Sequence, residues 1–201
     1  MSLAKEAWPF VIVAAVLTAV VAWLSPVGAV VPGLLLLFVV WFFRDPTRVT
    51  PADPDLLVSP ADGRIIRSDA ESISIFMNVF NVHVCRTPAA GVVESVVHHP
   101  GRFLAAFKDE APLENERTVI VVAEGKFRLE FTLIAGLIAR RIVCRVRSGQ
   151  KLERGQRVGL IRFGSRVDVA LPEGTRPVVT IGDRVQAGET VIARSEADNP
   201  I

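Results

Sequence analysis

Net charge and cysteine are both scarce in this chain, and each shortage limits what the protein can be. The formal net charge of its 201 residues is only +2 and no long basic run is present, so nothing in the composition supports a nucleic-acid partner. The two cysteines, Cys85 and Cys144, lie too far apart for a metal-ligand motif. Both fall in apolar stretches, which predicts reduced, buried thiols in a cytoplasmic domain and no metal site.

Charge is missing altogether between Ala7 and Phe43. Ser25-Pro26 interrupts this stretch and leaves two apolar arms, Trp8–Leu24 and Val27–Phe43, of 17 residues each. A helix of that length is about 25 Å long, slightly shorter than the roughly 30 Å hydrocarbon core of a bilayer. The arms therefore predict a membrane helical hairpin over residues 1–43, either spanning or re-entrant, followed by a soluble domain over residues 44–201.

Residues at the ends of the arms support this hairpin. Its tryptophans lie where amphipathic rings prefer the membrane interface, at Trp8, Trp23 and Trp41. Arg44 and Arg48 follow the second arm, and basic residues favour the cytoplasmic side. A secretory signal peptide is the alternative, but the apolar stretch is too long for one. We therefore expect a cell-membrane protein whose soluble domain faces the cytoplasm.

The pattern of the soluble part predicts mainly β structure. Residues 127–133 alternate strictly between apolar and polar side chains, as a half-buried strand does. Residues 73–79 alternate more loosely, and the apolar register shifts by one at Val79-Phe80. Such a shift indicates a bulge or a bend in the strand.

A short repeat occurs twice near the end of the chain. Gly149–Val158 and Gly182–Val191 both follow the pattern Gly-x-x-apolar-x-x-Gly-x-x-Val. The pattern is similar to the turn-and-strand unit of biotinyl/lipoyl-type β-sandwiches, in which two units pack about a pseudo-twofold axis. The glycines would supply positive φ at the turns. The predicted fold is a biotinyl/lipoyl-like β-sandwich or barrel with an internal repeat, preceded by the membrane hairpin.

Ser165 occupies an unusual position in a predicted strand. Apolar residues at alternate positions from Ile161 to Leu171 share its phase, so its side chain is expected to point inward, directly after Gly164. A small buried hydroxyl bonded to the backbone would explain this position without any function. The alternation alone does not choose between a structural and a catalytic serine.

Several motifs resemble, in order, those of the short prokaryotic phosphatidylserine decarboxylases. The self-cleavage motif of that family is similar to Phe163-Gly164-Ser165-Arg166. The other stretches that resemble it are Trp41–Pro46, Ser59–Gly63, Phe76–Val84, Asn115–Arg117 and Ile134–Arg141. A Gly-Ser pair alone carries little information, whereas six ordered motifs in one chain are specific.

The resemblance implies a pyruvoyl-dependent decarboxylation of phosphatidylserine to phosphatidylethanolamine and CO₂, in phospholipid biosynthesis. It implies that Ser165 attacks the Gly164 carbonyl and that the chain is cut into residues 1–164 and 165–201. Ser165 then becomes a pyruvoyl group that forms a Schiff base with the substrate amine, with no other cofactor and no metal. The same chemistry on archaetidylserine is an alternative, as is a membrane-anchored lipoyl-like binding module.

The resemblance also assigns Asp62 and His83 to an Asp-His-Ser arrangement, in which His83 serves as base and later as acid. Each has an ordinary alternative, a turn carboxylate for Asp62 and a hydrogen-bonded strand histidine for His83. Long-form relatives carry a second histidine where this chain has Arg86. The duties of that histidine fall on His83 alone or are shared with His98 or His99.

Rival functions lack their required residues or make a different prediction. A lipoyl carrier would need a lysine at a hairpin tip, and Lys151 lacks that setting. A cell-wall metallopeptidase would need His-x-His and His-x-x-x-Asp ligand sets, which the sequence does not contain. A serine hydrolase would keep its chain uncut. The expected partners are phosphatidylserine, membrane lipids and the two chains of one precursor, and a homo-oligomer is compatible with the sequence.

Overall fold

The computed structural model describes residues 2–107, 110–137, 141–162 and 165–195. The chain forms two compact units, Met1–Thr47 and Arg48–Ile201. Gly164, one of the two predicted cleavage residues, lies outside the described residues.

The first unit contains two apolar helices. A 3-10 helix at Lys5–Ala7 leads into α1 (Trp8–Leu24), and α2 spans Val30–Phe42. Strand β1 (Ser2–Leu3) pairs antiparallel with β2 (Arg44–Asp45).

Helix α1 agrees with the first predicted arm. It ends before Ser25, where the following Pro26 disfavours helical geometry. Together with the 3-10 helix that precedes it, α1 forms an apolar segment of 20 residues with mean hydropathy 2.3. That segment is long and apolar enough to cross a membrane. Helix α2 begins three residues later than its predicted arm, because the turn continues through Gly28, whose amide donates to Ser25 Oγ (3.2 Å).

The second unit is mainly β, as the sequence predicts. Its elements, in chain order, are β3 (Leu56–Val58), β4 (Gly63–Ser68), β5 (Ser72–Met77), β6 (Val84–Arg86), β7 (Gly91–His99), α3 (Ala111–Glu114), β8 (Arg117–Glu124), β9 (Phe127–Ile134), β10 (Ile142–Cys144), β11 (Lys151–Leu152), β12 (Arg157–Ile161), β13 (Ser165–Ala170), β14 (Thr175–Pro177), β15 (Arg184–Val185) and β16 (Val191–Ser195).

An antiparallel sheet of eight strands dominates the described part of this unit. Its order is β11-β7-β8-β9-β13-β5-β4-β15, and it curls into a half-barrel. The alternation predicted for residues 127–133 is confirmed, since Leu129, Phe131 and Leu133 of β9 are fully buried. They pack in one core with the inward side chains of β5 and β13. This packing is what holds β13, and so Ser165, in a fixed register.

The loosely alternating stretch after Ser72 does not continue as one strand. Strand β5 ends at Met77, and a turn intervenes before β6 begins at Val84. Within it the amide of Asn78 donates to Asn81 Oδ1 and the amide of Phe80 donates to Asn78 Oδ1 (both 2.9 Å). Asparagine side chains that bond nearby amides stabilise a turn against a strand, so the predicted bend is confirmed as a full turn.

The two copies of the glycine repeat occupy corresponding places. One runs from β11 to β12 and the other from β15 to β16. Strands β11 and β15 form the two edges of the large sheet, while β12 and β16 are the middle strands of two smaller sheets, β10-β12-β6 and β14-β16-β3. The repeat glycines all have positive φ, at 83° (Gly149), 73° (Gly155), 101° (Gly182) and 76° (Gly188). Lys151 lies within β11, paired with Val92.

Two further turns match each other, one before β4 and one before β7. We call residues 59–63 (Ser-Pro-Ala-Asp-Gly) the Asp62 turn and residues 87–91 (Thr-Pro-Ala-Ala-Gly) the Ala90 turn. In each, the first hydroxyl donates to the third carbonyl, at 2.6 Å from Ser59 and 2.8 Å from Thr87. In each, the first carbonyl accepts from the second glycine of one repeat copy, Gly188 in one case (2.8 Å) and Gly155 in the other (2.9 Å). The same backbone arrangement therefore forms twice.

Candidate active site

Ser165 is the first residue of β13, and its side chain is fully buried. Its backbone pairs with Met77 of β5, and its hydroxyl donates to the Met77 Sδ at 3.2 Å. Val167 and Val169 are also fully buried, so Ser165 shares the inward phase that the alternation predicts. A thioether is a weak acceptor, which leaves the hydroxyl without a strong bond that would have to break before it reacts.

The surroundings of Ser165 fit a pyruvoyl group in its place. The contact at Met77 is apolar, and a small uncharged carbonyl group would be accommodated there without burying a charge. The next residue, Arg166, is paired with Phe76 on one side and Ile134 on the other. A new chain end at residue 165 would therefore remain anchored in the sheet by the strand that follows it.

His83 is almost fully buried, with 2% of its surface exposed. Its Nδ1 lies 2.9 Å from the carbonyl oxygen of Asn81. Because a carbonyl oxygen only accepts, Nδ1 carries the proton, and in the neutral ring Nε2 is the basic nitrogen. The Asn81 carbonyl thus fixes both the tautomer and the orientation of a ring whose other nitrogen can accept a proton.

The topology brings His83 and Ser165 into one region. Strand β5 pairs with β13 through Met77 and Ser165, while the amide of Ile161, at the end of β12, donates to the carbonyl of His83 (3.2 Å). The chain from Met77 to His83 is therefore bonded at both of its ends to the chain from Ile161 to Ser165, and Asn81 lies between these two links.

Asp62 lies in the Asp62 turn and is 8% exposed. Its Oδ1 accepts from the amide of Ala187 (2.8 Å), and the Val82 amide is close enough to the carboxylate to lower its pKa slightly. Burial is the largest influence and raises the pKa of Asp62 above its usual value, while Ala187, Arg48 and Val82 offset part of the rise. Val82, the residue that precedes His83, is therefore near the Asp62 carboxylate.

Arg48 holds the Asp62 carboxylate from the other side. Its Nη2 donates to both carboxylate oxygens, at 2.9 and 2.8 Å, and both side chains are about nine-tenths buried. Its Nη1 donates to Glu189 (2.9 Å) and Gln186 (3.0 Å). Burial removes the hydration that favours a charged carboxylate, and the Arg48 guanidinium offsets part of this loss by lowering the pKa of Asp62.

The sequence did not point to Arg48 as a site residue. Its position after the apolar arms suggested membrane topology, and 14 positions separate it from Asp62. A nearly buried aspartate requires a cation in a folded protein, but which arginine supplies it depends on the tertiary structure.

The Asp62 side chain takes no part in the hydrogen bonds that the two turns share. The Ala90 turn forms the same hydroxyl and glycine hydrogen bonds with an alanine in the corresponding position. The bonds shared by the two turns therefore form with either an aspartate or an alanine at this position.

The other histidines lie elsewhere on the sheet. His98 and His99 belong to β7, which is three strands from β13, or about 14 Å at the usual strand spacing. His98 Nδ1 lies 3.1 Å from Thr118 Oγ1. Arg86, which replaces the second histidine of long-form relatives, donates from Nη1 to the carbonyl of Gly155 (2.8 Å). His83, by contrast, accepts at its carbonyl from the amide of Ile161, in the segment that leads to Ser165.

Comparison with known proteins shows the family of this chain. The family model "Phosphatidylserine decarboxylase" matches residues 35–193. The chain is 49% identical to the phosphatidylserine decarboxylase proenzymes of Burkholderia vietnamiensis and Burkholderia multivorans, and 48% identical to that of Burkholderia lata, each time over 96% of both chains. The chain belongs to the phosphatidylserine decarboxylase family.

Proposed function

We propose that this chain is a proenzyme that cuts itself between Gly164 and Ser165, and that it then decarboxylates phosphatidylserine to phosphatidylethanolamine. The name "proenzyme" of its relatives supports the first step, and their name as decarboxylases supports the second. The observation that carries the proposal within the structure is the burial of Ser165 at the start of β13, linked by strand pairing to the segment that holds His83.

Self-cleavage begins with attack by Ser165 Oγ on the Gly164 carbonyl. His83 accepts the hydroxyl proton at Nε2, since the Asn81 carbonyl keeps the other ring nitrogen protonated. The resulting N→O acyl shift gives an ester. Removal of the Ser165 α-proton breaks the bond between Cβ and the ester oxygen, so Gly164 leaves as a carboxylate and dehydroalanine remains. Dehydroalanine tautomerises to an imine, which water hydrolyses to a pyruvoyl group and ammonia.

Asp62 and Arg48 act on His83 indirectly. The Val82 amide near the Asp62 carboxylate places this carboxylate beside the segment that carries His83, and its negative charge favours the imidazolium formed during the attack. Arg48 is a positioning residue, because it keeps that carboxylate ionised and in place.

The pyruvoyl carbonyl, which phosphatidylserine decarboxylase proenzymes form from a serine, supplies the electron sink for loss of CO₂. The remaining work falls on this chain's own residues. His83 returns a proton to the substrate Cα after CO₂ leaves, and the apolar contacts around Met77 limit access of water to the reacting carbon.

We also propose that the second unit is a biotinyl/lipoyl-like fold built from two related halves. The corresponding positions of the two glycine repeats support this, as do the matching bonds of the Asp62 and Ala90 turns. The proposed catalytic Asp62 would then belong to only one of the halves, because the matching turn of the other half has Ala90.

The first unit is proposed to be a membrane hairpin over residues 1–43 that keeps the catalytic residues 44–201 on the cytoplasmic side. Exposed apolar side chains support this, among them Trp23 (86%) and Val13 (68%). Removal of residues 1–43 should release the protein from vesicles. Equal sedimentation of the truncated and full-length proteins would contradict the hairpin as the main anchor.

The decarboxylation is tested by CO₂ release from phosphatidylserine by the full-length protein. Activity should be lost after treatment with hydroxylamine, or with borohydride in the presence of substrate, because both reagents attack a carbonyl or its imine. Ser165→Ala should be uncut and inactive, whereas the exposed control Ser148→Ala should behave as wild type. An active Ser165→Ala protein would contradict the proposal.

A further inference from the structure

Exposed phenylalanine and leucine side chains are concentrated in one part of the second unit. The described residues of that unit expose four of them, Phe80 (69%), Phe107 (62%), Leu113 (78%) and Leu137 (63%). The other large apolar side chains exposed there are valines and one isoleucine. Single exposed apolar residues are ordinary, but several large ones in one place mark an interaction surface.

Two of these side chains lie beyond the strand ends that flank the start of β13. Strand β5 ends at the register partner of Ser165, and Phe80 lies in the turn that follows. Strand β9 ends at the register partner of Arg166, and Leu137 lies shortly beyond that end. Because β5 and β9 both run antiparallel to β13, their last residues and the first residue of β13 share one end of the sheet.

Phe107 and Leu113 reach the same end from the segment before β8. The Phe107 ring contacts that of Phe76, one residue before the end of β5, with ring centroids 6.0 Å apart. The Leu113 carbonyl accepts from Nη1 of Arg117, the first residue of β8 (2.9 Å). Both apolar side chains also line a cavity of about 450 Å³ together with Arg166, the second residue of β13. We call this end of the sheet, with its four exposed side chains, the apolar end.

The opposite end of the same strands has a different surface. Its turns carry charged residues, Asp69 and Glu71 before β5, and Glu124 and Lys126 between β8 and β9. Among the described residues of these strand ends and their turns, one large apolar side chain is exposed, that of Val92 (43%) near the start of β7. The same strands thus form turns without exposed phenylalanine or leucine, so folding alone does not explain the apolar end.

An exposed cation also lies near the apolar end. Arg141 is exposed, and its carbonyl accepts from the amide of Arg162 (3.4 Å), three residues before Ser165. Among the described residues, no carboxylate forms an ion pair with Arg141. This combination suits an anionic bilayer surface, because apolar groups enter the interface while a cation is attracted to the lipid headgroups.

We propose that the apolar end docks on the surface of the lipid bilayer, an inference that rests on the proposed function. The proposed substrate is itself a bilayer lipid, and the residue that becomes the reactive group starts its strand at this end. A protein partner or a second copy bound here would separate that strand end from the bilayer, which favours lipid as the occupant. Docking turns the reactive end of the second unit toward the membrane, a role that the anchor in residues 1–43 does not itself provide.

The first test compares a Phe107→Ser, Leu113→Ser double variant with wild type, both full length and reconstituted in vesicles of phosphatidylcholine and phosphatidylglycerol. Self-cleavage on a denaturing gel should be normal, because both side chains are exposed. CO₂ release from long-chain phosphatidylserine in the vesicles should fall about 10-fold, since two apolar side chains no longer enter the interface. Release from water-soluble dibutyryl phosphatidylserine should not change. The control Val92→Ser, at the opposite end, should match wild type with both substrates.

Three results would overturn the proposal. Equal losses with both substrates would show that the two side chains serve folding or catalysis, and no loss with either would show that they do not dock. A wild-type dimer in detergent that the double variant dissociates would show that a second copy covers the apolar end. Size-exclusion chromatography of both proteins provides that measurement.

Photolabelling of wild type judges the docking even if the protein releases no CO₂, a result that would refute the proposed function alone. The full-length protein is reconstituted in the same vesicles with a phosphatidylcholine that carries a diazirine near the headgroup end of one acyl chain. Mass spectrometry should find the label on Phe107 or Leu113 as well as within residues 1–43, and not on Val92. Label confined to residues 1–43, or equal labelling of Val92, would overturn the proposal.

Discussion

The Asp62 turn and the Ala90 turn have nearly the same backbone but different side-chain chemistry. In both, the hydroxyl of the first residue donates to the carbonyl of the third, and the carbonyl of the first residue accepts from the amide of a repeat glycine. The Asp62 turn alone adds a buried carboxylate with Arg48 bonded to it. The hydrogen bonds common to both turns thus stabilise the fold, whereas Asp62 and Arg48, which occur at one turn only, are candidates for the chemistry.

The largest effect is expected from making the Asp62 turn resemble its counterpart. Asp62→Ala should slow self-cleavage by about 10²–10⁴-fold, because the base loses the charge that orients it and stabilises its protonated form. The mirror variant Ala90→Asp should cleave at close to the wild-type rate. A time course on a denaturing gel measures both, and rapid cleavage of Asp62→Ala would show that the difference between the turns is incidental.

A smaller effect is expected at Arg48. Arg48→Met should slow cleavage by about 10- to 100-fold, since the carboxylate is left buried without its cation. Arg48→Lys should restore part of the rate, because it keeps the charge but not the two-oxygen contact. Arg128→Met, which removes an exposed ion pair with Glu94, is the control and should cleave normally. Identical rates for the Met and Lys variants would contradict a role for the charge.

The pH dependence of cleavage should distinguish positioning from simple support of the fold. Burial raises the pKa of Asp62, so its carboxylate is lost on acidification at a higher pH than for an exposed aspartate. Arg48 lowers this pKa, so Arg48→Met should move the acid limb of the rate profile to higher pH, with Arg48→Lys in between. Because the pKa of Asp62 is raised in the folded protein, protonation of Asp62 at low pH removes a buried charge and does not destabilise the fold. An acid limb that stays in place in Arg48→Met would contradict this account.

The smallest effect concerns the bonds that the two turns share. Ser59→Ala and Thr87→Val should each lower the free energy of unfolding by about 1 kcal/mol, because each removes one buried hydrogen bond. Denaturant unfolding of the two variants, both made in the Ser165→Ala background to keep the chain uncut, measures the difference. Losses that differ by more than about twofold would argue against equivalent roles for the turns.

Sequence patterns predicted the elements that depend on local periodicity. Strand β9 followed from strict alternation, and α1 followed from an uncharged stretch that ends before a proline. The inward phase of Ser165 was predictable for the same reason. The start of α2 was missed because the turn bonds between Ser25 and Gly28 extend the loop beyond the proline.

Features that depend on distant parts of the chain were not predictable. The partnership of Arg48 with Asp62, and the pairing of Arg64 with Arg184 across 120 positions of sequence, exist only once the sheet is assembled. The Asp62 turn itself was visible as a motif, yet its equivalence with the Ala90 turn emerged from matching hydrogen bonds rather than from identical residues.

The central claim is that Ser165 becomes the reactive group of a self-cut enzyme. The mass spectrum of purified, active full-length protein tests it most directly. We expect two chains, residues 1–164 and residues 165–201, the second with a blocked N terminus and a mass that fits pyruvoyl in place of serine. A single mass for 201 intact residues in a preparation that releases CO₂ from phosphatidylserine would contradict the account.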